Sequence, residues 1–409
     1  MLRVAIIGVG GYGATLLAGL RSAAGAGRCR IVAAADASAA AIARAADDLR
    51  DAGAATFADG GEMLEALRGR CDVVYVATSI ASHAALTAAA ARCGFHVHLE
   101  KPPAATVQEV DEMLEALARA GRMCLVGFQN LHAAEMLRLR QALAGGLLGK
   151  VLRVSCAANW PRPRKYYRRN EWAGRLRAGG AWVLDGAASN ALAHQIAHCL
   201  ALACPRAEGL AEPVAVRAEL YAAGDMQCHN IAAIEVRTAD GVDIHLLLSH
   251  AGRARFEPLI EVVAERGRAY LQPGSHAVVY APDGTEPWYS PARPAREAMI
   301  ANMLDAVEAG RPEMLRCPLS QARKCVLVVD GAHESTGRIG RLGEGAFRRE
   351  PAGSDAERVE VPRLCGMLLD AAERHCLLSD LPDGPAWAVR TEPFDLAGYR
   401  RFPQRFRCE

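Results

Sequence analysis

Near its start the chain reads Arg3-Val4-Ala5-Ile6-Ile7-Gly8-Val9-Gly10-Gly11-Tyr12-Gly13. Residues Arg3 to Ile7 form a short apolar run of the kind a buried strand needs, and a helical pattern follows through Leu20. Between the two, Gly8, Gly10 and Gly13 fall at the spacing G-x-G-x-x-G, with Gly11 and Tyr12 inside the turn. The first glycine permits a tight strand-to-helix turn, the second lets backbone approach a ligand, and the third lets helix and strand pack closely. A helix N-terminus adds open N–H groups and the positive end of its dipole, which suit phosphates. A second apolar run, Ile31–Ala35, ends at Asp36. Strand, glycines, helix and acid together make a dinucleotide-binding fingerprint, with Asp36 placed to accept hydrogen bonds from ribose hydroxyls. A carboxylate repels a 2′-phosphate, and Ala37 and Ser38 bring no cation, so NAD is favoured over NADP; Arg44 is the residue able to reverse that preference.

Outward from this point the pattern keeps alternating. A helix is expected over Ala39–Ala52, a strand over Val73–Ala77 and a helix over His83–Cys93. A strand over His96–Leu99, a helix over Val107–Ala120 and a strand over Met123–Phe128 follow. Such βαβ alternation predicts an α/β domain with a doubly wound parallel sheet, a Rossmann domain over residues 1–126. From Val151 to Tyr280 the signals are hairpins instead. Asp240-Gly241 separates Ile231–Val236 from Val242–Leu248, and Asp283-Gly284 follows Ala277–Tyr280. This predicts an α+β domain over 127–349 with a largely antiparallel sheet, interrupted by a helix over Asn190–Ala203 and closed by helices Glu297–Ala309 and Ser320–Glu334. Residues 350–409, rich in proline and arginine, read as an extension with one helical piece, Leu364–His375.

Composition removes several function classes. A chain of 409 residues exceeds what one hydrophobic core supports. Its 48 basic and 46 acidic residues nearly cancel, so nothing in the charge calls for nucleic acid or an anionic membrane. The 13 cysteines include no Cys-x-x-Cys pair and suit buried thiols in a reducing compartment. No apolar stretch reaches membrane-span length and none resembles a signal peptide, so a soluble, cytoplasmic protein is expected. No His-Glu-x-x-His, Gly-x-Ser-x-Gly or Gly-Lys-Ser/Thr pattern occurs, and no metal is expected.

After the third long strand come Ala77-Thr78-Ser79-Ile80-Ala81-Ser82-His83 and then Gly94-Phe95-His96-Val97-His98-Leu99-Glu100-Lys101-Pro102. Together with the glycine fingerprint, these segments resemble the glucose–fructose oxidoreductase, inositol dehydrogenase and rhizopine-catabolism (Gfo/Idh/MocA) family, over roughly Met1 to Gly345. The resemblance implies a second domain with an open, mostly antiparallel sheet, and pairing into a homodimer or homotetramer through that sheet. It implies Lys101 as an active-site lysine, Ala77, Thr78, His83 and Glu100 along the cofactor, and a small polyhydroxylated substrate oxidised or reduced with NAD. A second family motif runs from a glycine pair to Asp-x-Gly-x-His-x-x-Asp, and here the pair Gly179-Gly180 and Asp185 match it. Its later glycine is Ala187, its histidine Ser189 and its last acid Leu192. The chain therefore looks like a divergent branch of the family.

With that histidine absent, a replacement is sought one turn on. Asn190, His194 and His198 are spaced by four and would share a helix face, which makes His194 the acid/base candidate beside Lys101 and Asp185. Upstream, residues 160–172 mix aromatics with arginines, and Tyr167, Arg169 and Trp172, with Asn190, are the substrate candidates. Aromatic faces stack on sugar rings, and guanidinium groups clamp carboxylate or phosphate. Two alternatives stay open. One is a lyase, epimerase or glycosidase that uses NAD transiently; the other is a cofactor-binding regulator without chemistry.

Overall fold

The apolar runs become strands of two separate sheets in a computed structural model that describes residues 1–289 and 294–408. The first sheet takes β1 (Leu2–Ile7), β2 (Cys29–Ala35), β3 (Ala55–Phe57), β4 (Val73–Val76), β5 (His96–Leu99) and β6 (Cys124–Val126). All pairs are parallel, in the order β3-β2-β1-β4-β5-β6. Between the strands run α1 (Tyr12–Gly25), α2 (Ala39–Arg44), α3 (Ala46–Asp51), α4 (Gly60–Ala66), α5 (Ile80–Arg92) and α6 (Val107–Ala120). Val4–Ile7 and Val73–Val76 are buried throughout, because helices cover both faces of a parallel sheet and its central strands have no polar side. The strand order reverses direction between β1 and β4, so the carboxyl ends of β1, β4 and β5 open onto the position where such sheets bind ligands.

One helix expected over Ala39–Ala52 is instead two. Ser38 caps α2 through the Ala41 N–H, and Ala45 leaves helical geometry before Asp47 and Asp48 start α3. Acidic residues favour a helix N-terminus, which supports a new start there.

The second sheet is built from β7 (Val151–Asn159), β10 (Pro213–Ala222), β11 (Ile231–Thr238), β12 (Asp243–Ser249), β13 (Phe256–Ala264), β14 (Gly267–Gln272), β15 (His276–Ala281), β16 (Gly284–Tyr289), β17 (Gly340–Arg341) and β20 (Phe394–Asp395). Two small ladders stand apart: β8 (Arg177–Ala178) with β9 (Ala181–Trp182), and β18 (Arg348–Glu350) with β19 (Arg358–Glu360). The helices are α7 (Ala134–Ala144), α8 (Arg164–Tyr167), α9 (Ala193–Leu202), α10 (Ala295–Ala309), α11 (Leu319–Thr336) and α12 (Leu364–Arg374). The large sheet runs β16-β15-β14-β13-β7-β12-β11-β10-β17, with β20 also on β10. Only β7–β12 and β10–β17 pair in parallel, so it is mostly antiparallel as expected.

The chain forms two compact units, and their membership departs from the expected boundaries. The segment carrying α10 belongs with the first unit, because Ile300 packs where Gly19 of α1 leaves room. Residues 350–409 fall in the second unit. In that unit α9 covers one face of the sheet, where Gln195 Oε1 lies 4.0 Å from Cys156 Sγ. On the opposite face Ala157, Ala233 and Leu247 are buried against Leu364, Leu368 and Ala371 of α12 and against Leu377 and Leu378. Each leucine so buried contributes roughly 1.5–3 kcal/mol. Farther along the same face Leu259 and Tyr280 stay half exposed, at 48% and 49%. Among the described residues no helix is long and apolar enough to cross a membrane. All thirteen cysteines are unpaired thiols, and ten are buried.

Candidate functional site

In the first unit the candidate residues gather at the carboxyl edge of the sheet. The glycine turn is sterically required. A Cβ at Gly8, where φ is +89°, would lie 2.3 Å from the Ala77 carbonyl oxygen, and one at Gly13 would lie 2.1 Å from the Gly8 carbonyl oxygen. Gly11, by contrast, has nothing within 4 Å of a would-be Cβ, so the outer side of the turn is open. The N-terminus of α1 carries no side-chain cap and no acid in its first turn, though Gly13 N–H already donates to Gly10 O at 2.9 Å. Asp36 Oδ2 accepts from the Val9 and Gly10 N–H groups at 2.8 and 3.1 Å, and Oδ1 accepts from Ser38 N–H at 2.8 Å. The acid thus shapes the turn. Tyr12 sits on the rim, 37% exposed, with the Arg296 guanidinium over its ring.

The β4 and β5 ends are tied together. His83 is buried, with Nδ1 3.0 Å from Pro102 O and Nε2 3.2 Å from Thr78 O. Burial pushes its pKa down to about 4, so the ring is neutral and donates to one of these carbonyls. The sequence placed His83 along the cofactor; in the structure its nitrogens are turned to backbone, and it clasps the Ala77–Thr78 loop to the Lys101–Pro102 loop. That peptide bond, Lys101–Pro102, is cis. Glu100 is 6% exposed, and one carboxylate oxygen accepts from the Lys101 N–H at 3.1 Å. Burial pushes its carboxyl up to about 7. A Cβ at Gly127 would lie 2.6 Å from Glu100 Oε1, so a larger residue at 127 would displace the carboxylate. The sequence reading missed Gly127, since only the pairing of β5 with β6 brings it there.

In the second unit Asp185 is 3% exposed and fully engaged. Its carboxylate accepts from Gly174 N–H at 2.7 Å, from Asn190 Nδ2 at 2.6 Å and from Arg169 Nη2 at 3.4 Å. Arg169 also lies over the rings of Tyr166 and Trp172, at 3.8 and 4.9 Å. Asp185, Arg169, Trp172 and Asn190 therefore form one cluster, with Tyr167 packed beside Gly174. Leu184, just before the acid, holds φ at +45°, a strained value for a branched residue of the kind that collects at functional sites.

The helix expected over Asn190–Ala203 does not run through. Residues Ala187–Ala191 form a π-helical turn, and α9 begins only at Ala193. Asn190 therefore lies in that turn, ahead of the helix that carries His194 and His198, whose rings stack at 6.1 Å. The turn is fixed by Ser189, whose hydroxyl donates to Leu184 O and accepts from Gly186 N–H at 2.9 Å. Ser189 is a structural latch in the place of the family's histidine. His194 is 9% exposed, whereas His198 is fully buried, bonded to Gln195 and pushed down to about 3.

Beneath the turn lies a residue the sequence did not single out. A Cβ at Gly186 would lie 2.2 Å from His229 Cε1, and His229 Nε2 accepts from Ala188 N–H at 3.2 Å. Cys228, His229 and His333 are the one group of possible metal ligands among the described residues, with ligand atoms within 4.8 Å of one another. Their hydrogen bonds use the same atoms. Because His229 Nε2 accepts, its proton sits on Nδ1 and points at Cys228 Sγ, 3.4 Å away. His333 donates from Nδ1 to Val329 O at 2.8 Å and turns Nε2 to the same thiol. The three form a hydrogen-bonded chain supporting the turn.

The family model described as "Oxidoreductase family, NAD-binding Rossmann fold" matches residues 2–128, and the "GFO/IDH/MocA C-terminal domain" matches residues 136–270. The chain is 35% identical over 156 residues to a "Glycosyl hydrolase family 109 protein" of Saccharopolyspora erythraea, covering 37% of this chain and 33% of the relative. It is 32% identical over 99 residues to a myo-inositol 2-dehydrogenase of Thermotoga maritima, covering 24% and 30%. The chain thus spans about a third of the length of these relatives. Among solved structures it is similar to the WlbA dehydrogenase of Bordetella pertussis in complex with NADH and UDP-GlcNAcA, with TM-score 0.68 and 20% identity over 82% of this chain and 96% of that one. It is likewise similar to an aldose-aldose oxidoreductase of Caulobacter crescentus, with TM-score 0.68 and 19% identity over 82% and 97%. At such identities the likeness speaks to fold alone.

Proposed function

The chain belongs to the Gfo/Idh/MocA oxidoreductase family, and from that membership and its own geometry we propose that it transfers hydride between NAD and a hydroxyl- or carbonyl-bearing carbon of a sugar, polyol or sugar acid. The observation that carries the reading is Lys101, set at the carboxyl end of β5 by the His83 clasp and by the bond from its own N–H to Glu100, on the edge where the glycine turn opens. The residues fit the cofactor. Gly8, Gly10, Gly11, Gly13 and the start of α1 would hold the pyrophosphate, with Tyr12 on the rim. Asp36 would hold the adenosine ribose, and Ala77, Thr78 and Glu100 would line the nicotinamide half. The bound nicotinamide supplies the hydride acceptor or donor.

The remaining chemistry falls to the chain. Lys101 presents an ammonium to the reacting oxygen, stabilising negative charge there as a proton leaves or arrives. His194 is the proposed acid/base group, because Ser189 spends its hydroxyl on the turn and His198 is sealed in the core. Asp185, with three donors from its own chain, acts by holding Arg169, Gly174 and Asn190 in place. Arg169 and Trp172 then face the substrate. Pairing of copies is part of the same reading: the exposed Leu259 and Tyr280 side of the sheet is the surface α12 leaves uncovered.

A panel of sugars, inositols and sugar acids with NAD and NADP, followed by reduced-nicotinamide absorbance, tests this. Net turnover on at least one substrate with NAD, at least a hundredfold weaker in Lys101→Ala, is expected. A second reading, transient oxidation within a cleavage or rearrangement, draws on the family 109 relative and on Ser189 in place of the family histidine. Tightly retained cofactor and substrate conversion without net NADH would favour it.

A further inference from the structure

The second unit contains a cavity of about 400 Å3 whose wall includes Gly174, the residue whose N–H holds Asp185. Five arginines line it (Arg162, Arg164, Arg168, Arg175 and Arg349) against two carboxylates, Asp225 and Glu357. That excess of cations is poorly neutralised from within. Arg168 meets Asp355 at 3.4 Å where the two side chains are 60% and 72% exposed; Arg349 meets Asp225 and Glu344 where the acids are 81% and 77% exposed, and reaches the more buried Glu357 only at 3.9 Å. Ion pairs so open to water are worth little. Arg164 comes only within 4.0 Å of Glu357, whose own Oε2 accepts from Gly353 N–H. Among the described residues, two buried polar atoms of this wall find no hydrogen-bond partner: Arg162 Nε and the Tyr167 hydroxyl.

One part of the wall comes from late in the chain. Beyond residue 270, where the family match stops, the β18–β19 hairpin supplies Arg349, Glu357 and Val359. It is hydrogen-bonded to the facing segment: Arg164 N–H donates to Glu357 O at 2.7 Å, and Lys165 N–H to Asp355 O at 3.0 Å. Val359 closes on Gly224, where a Cβ would lie 2.9 Å from its Cγ2. A volume this size holds a small organic ligand rather than one ion. Planar guanidinium groups select oxyanions, and tyrosine adds a donor.

We propose that this arginine-lined cavity binds an oxyanion-bearing group, phosphate or carboxylate, and that the β18–β19 hairpin completes it. Taken with the oxidoreductase reading, on which this last step rests, the substrate is an acidic carbohydrate whose charged end lies here. The direct test is arginine modification of the wild-type chain with phenylglyoxal, mapped by peptide mass spectrometry. It is run with phosphate, pyrophosphate, glucuronate or glucose at matched ionic strength. Protection of Arg162 and Arg349 at least fivefold by an anion, and none by glucose or chloride, is expected. Protection by phosphate or pyrophosphate assigns a phosphorylated ligand, and protection by glucuronate alone assigns a carboxylate. Equal modification under all conditions, or equal protection by glucose, overturns the proposal. Arg162→Gln and Arg349→Gln, checked for folding by thermal melting, should each weaken anion binding about tenfold; unchanged binding in folded variants places the anion elsewhere and overturns it too. NADH binding and turnover are measured on the same wild-type sample. Turnover of neutral sugars without anion protection sinks this inference alone, and anion protection without NADH binding sinks the oxidoreductase reading alone.

Discussion

At the residue scale the site depends on side chains that are missing as much as on those present. Gly8 and Gly13 were legible because their constraint is local: a turn between adjacent elements, spaced by motif. Gly13→Ala should abolish NADH binding, read by fluorescence titration, since its Cβ meets backbone at 2.1 Å and only a shift of the turn relieves it. Gly127 and Gly186 were not legible, because each makes room for a residue distant in sequence, Glu100 and His229. Glu100 also carries a pH signature. Its ordinary value of 4.5 is raised to about 7, so the fold tolerates it best protonated. Below pH 4.5 the group is protonated whether the chain is folded or not and costs nothing. Between 4.5 and 7 stability falls as pH rises, by as much as roughly 3 kcal/mol. Glu100→Gln should therefore be more stable than wild type above pH 7, by thermal melting, with the gain vanishing near pH 4. A gain independent of pH would contradict the buried carboxyl.

At the scale of elements, the βαβ alternation was readable because each strand and helix announces itself by its own period. The break before α9 was not. The spacing of Asn190, His194 and His198 fits a continuous helix, yet Ser189 bonds Leu184 and Gly186 and draws the preceding residues into a π turn. Hydroxyls compete with helix geometry in this way. Ser189→Ala should cost about 1–3 kcal/mol of stability while leaving the pH profile of turnover in place; a displaced profile would make Ser189 part of the proton path. Within the C-terminal segment, read as an appendage, the stretch from Tyr399 to Phe406 is fastened by a buried acid, beyond the packing of α12 and the pairing of β20 with β10. Glu334 accepts from the Tyr399 hydroxyl and from the Gln404, Arg405 and Phe406 N–H groups, at 2.5–2.8 Å. This seats Phe402 and Phe406 against Trp182. Glu334→Ala should destabilise by about 3 kcal/mol or more and expose the segment after residue 396 to protease, read by limited proteolysis.

Across the whole molecule the buried histidines set the acid limit. His83, His132, His245 and His333 are pushed down to about 4, and His98, His198 and His250 to about 3, burial being the leading cause each time. Unfolding lets each bind a proton near its ordinary 6.5, so stability is full above that pH and falls steeply as pH drops toward 4. Denaturant midpoints measured from pH 7.5 to 4.5 should decline with more than one proton taken up on unfolding; a flat profile would contradict burial of neutral histidines. Fold class was legible because two sheets of opposite habit leave different patterns in sequence. The unit boundaries were not, since α10 packs on α1 from nearly 300 residues away. The central claim is hydride transfer with NAD that depends on Lys101, and reduced-nicotinamide absorbance over the carbohydrate panel, wild type beside Lys101→Ala, tests it most directly. The account predicts a signal on at least one substrate that the substitution removes while NADH still binds. A signal that survives in Lys101→Ala, or no dinucleotide binding by the wild type, would contradict it.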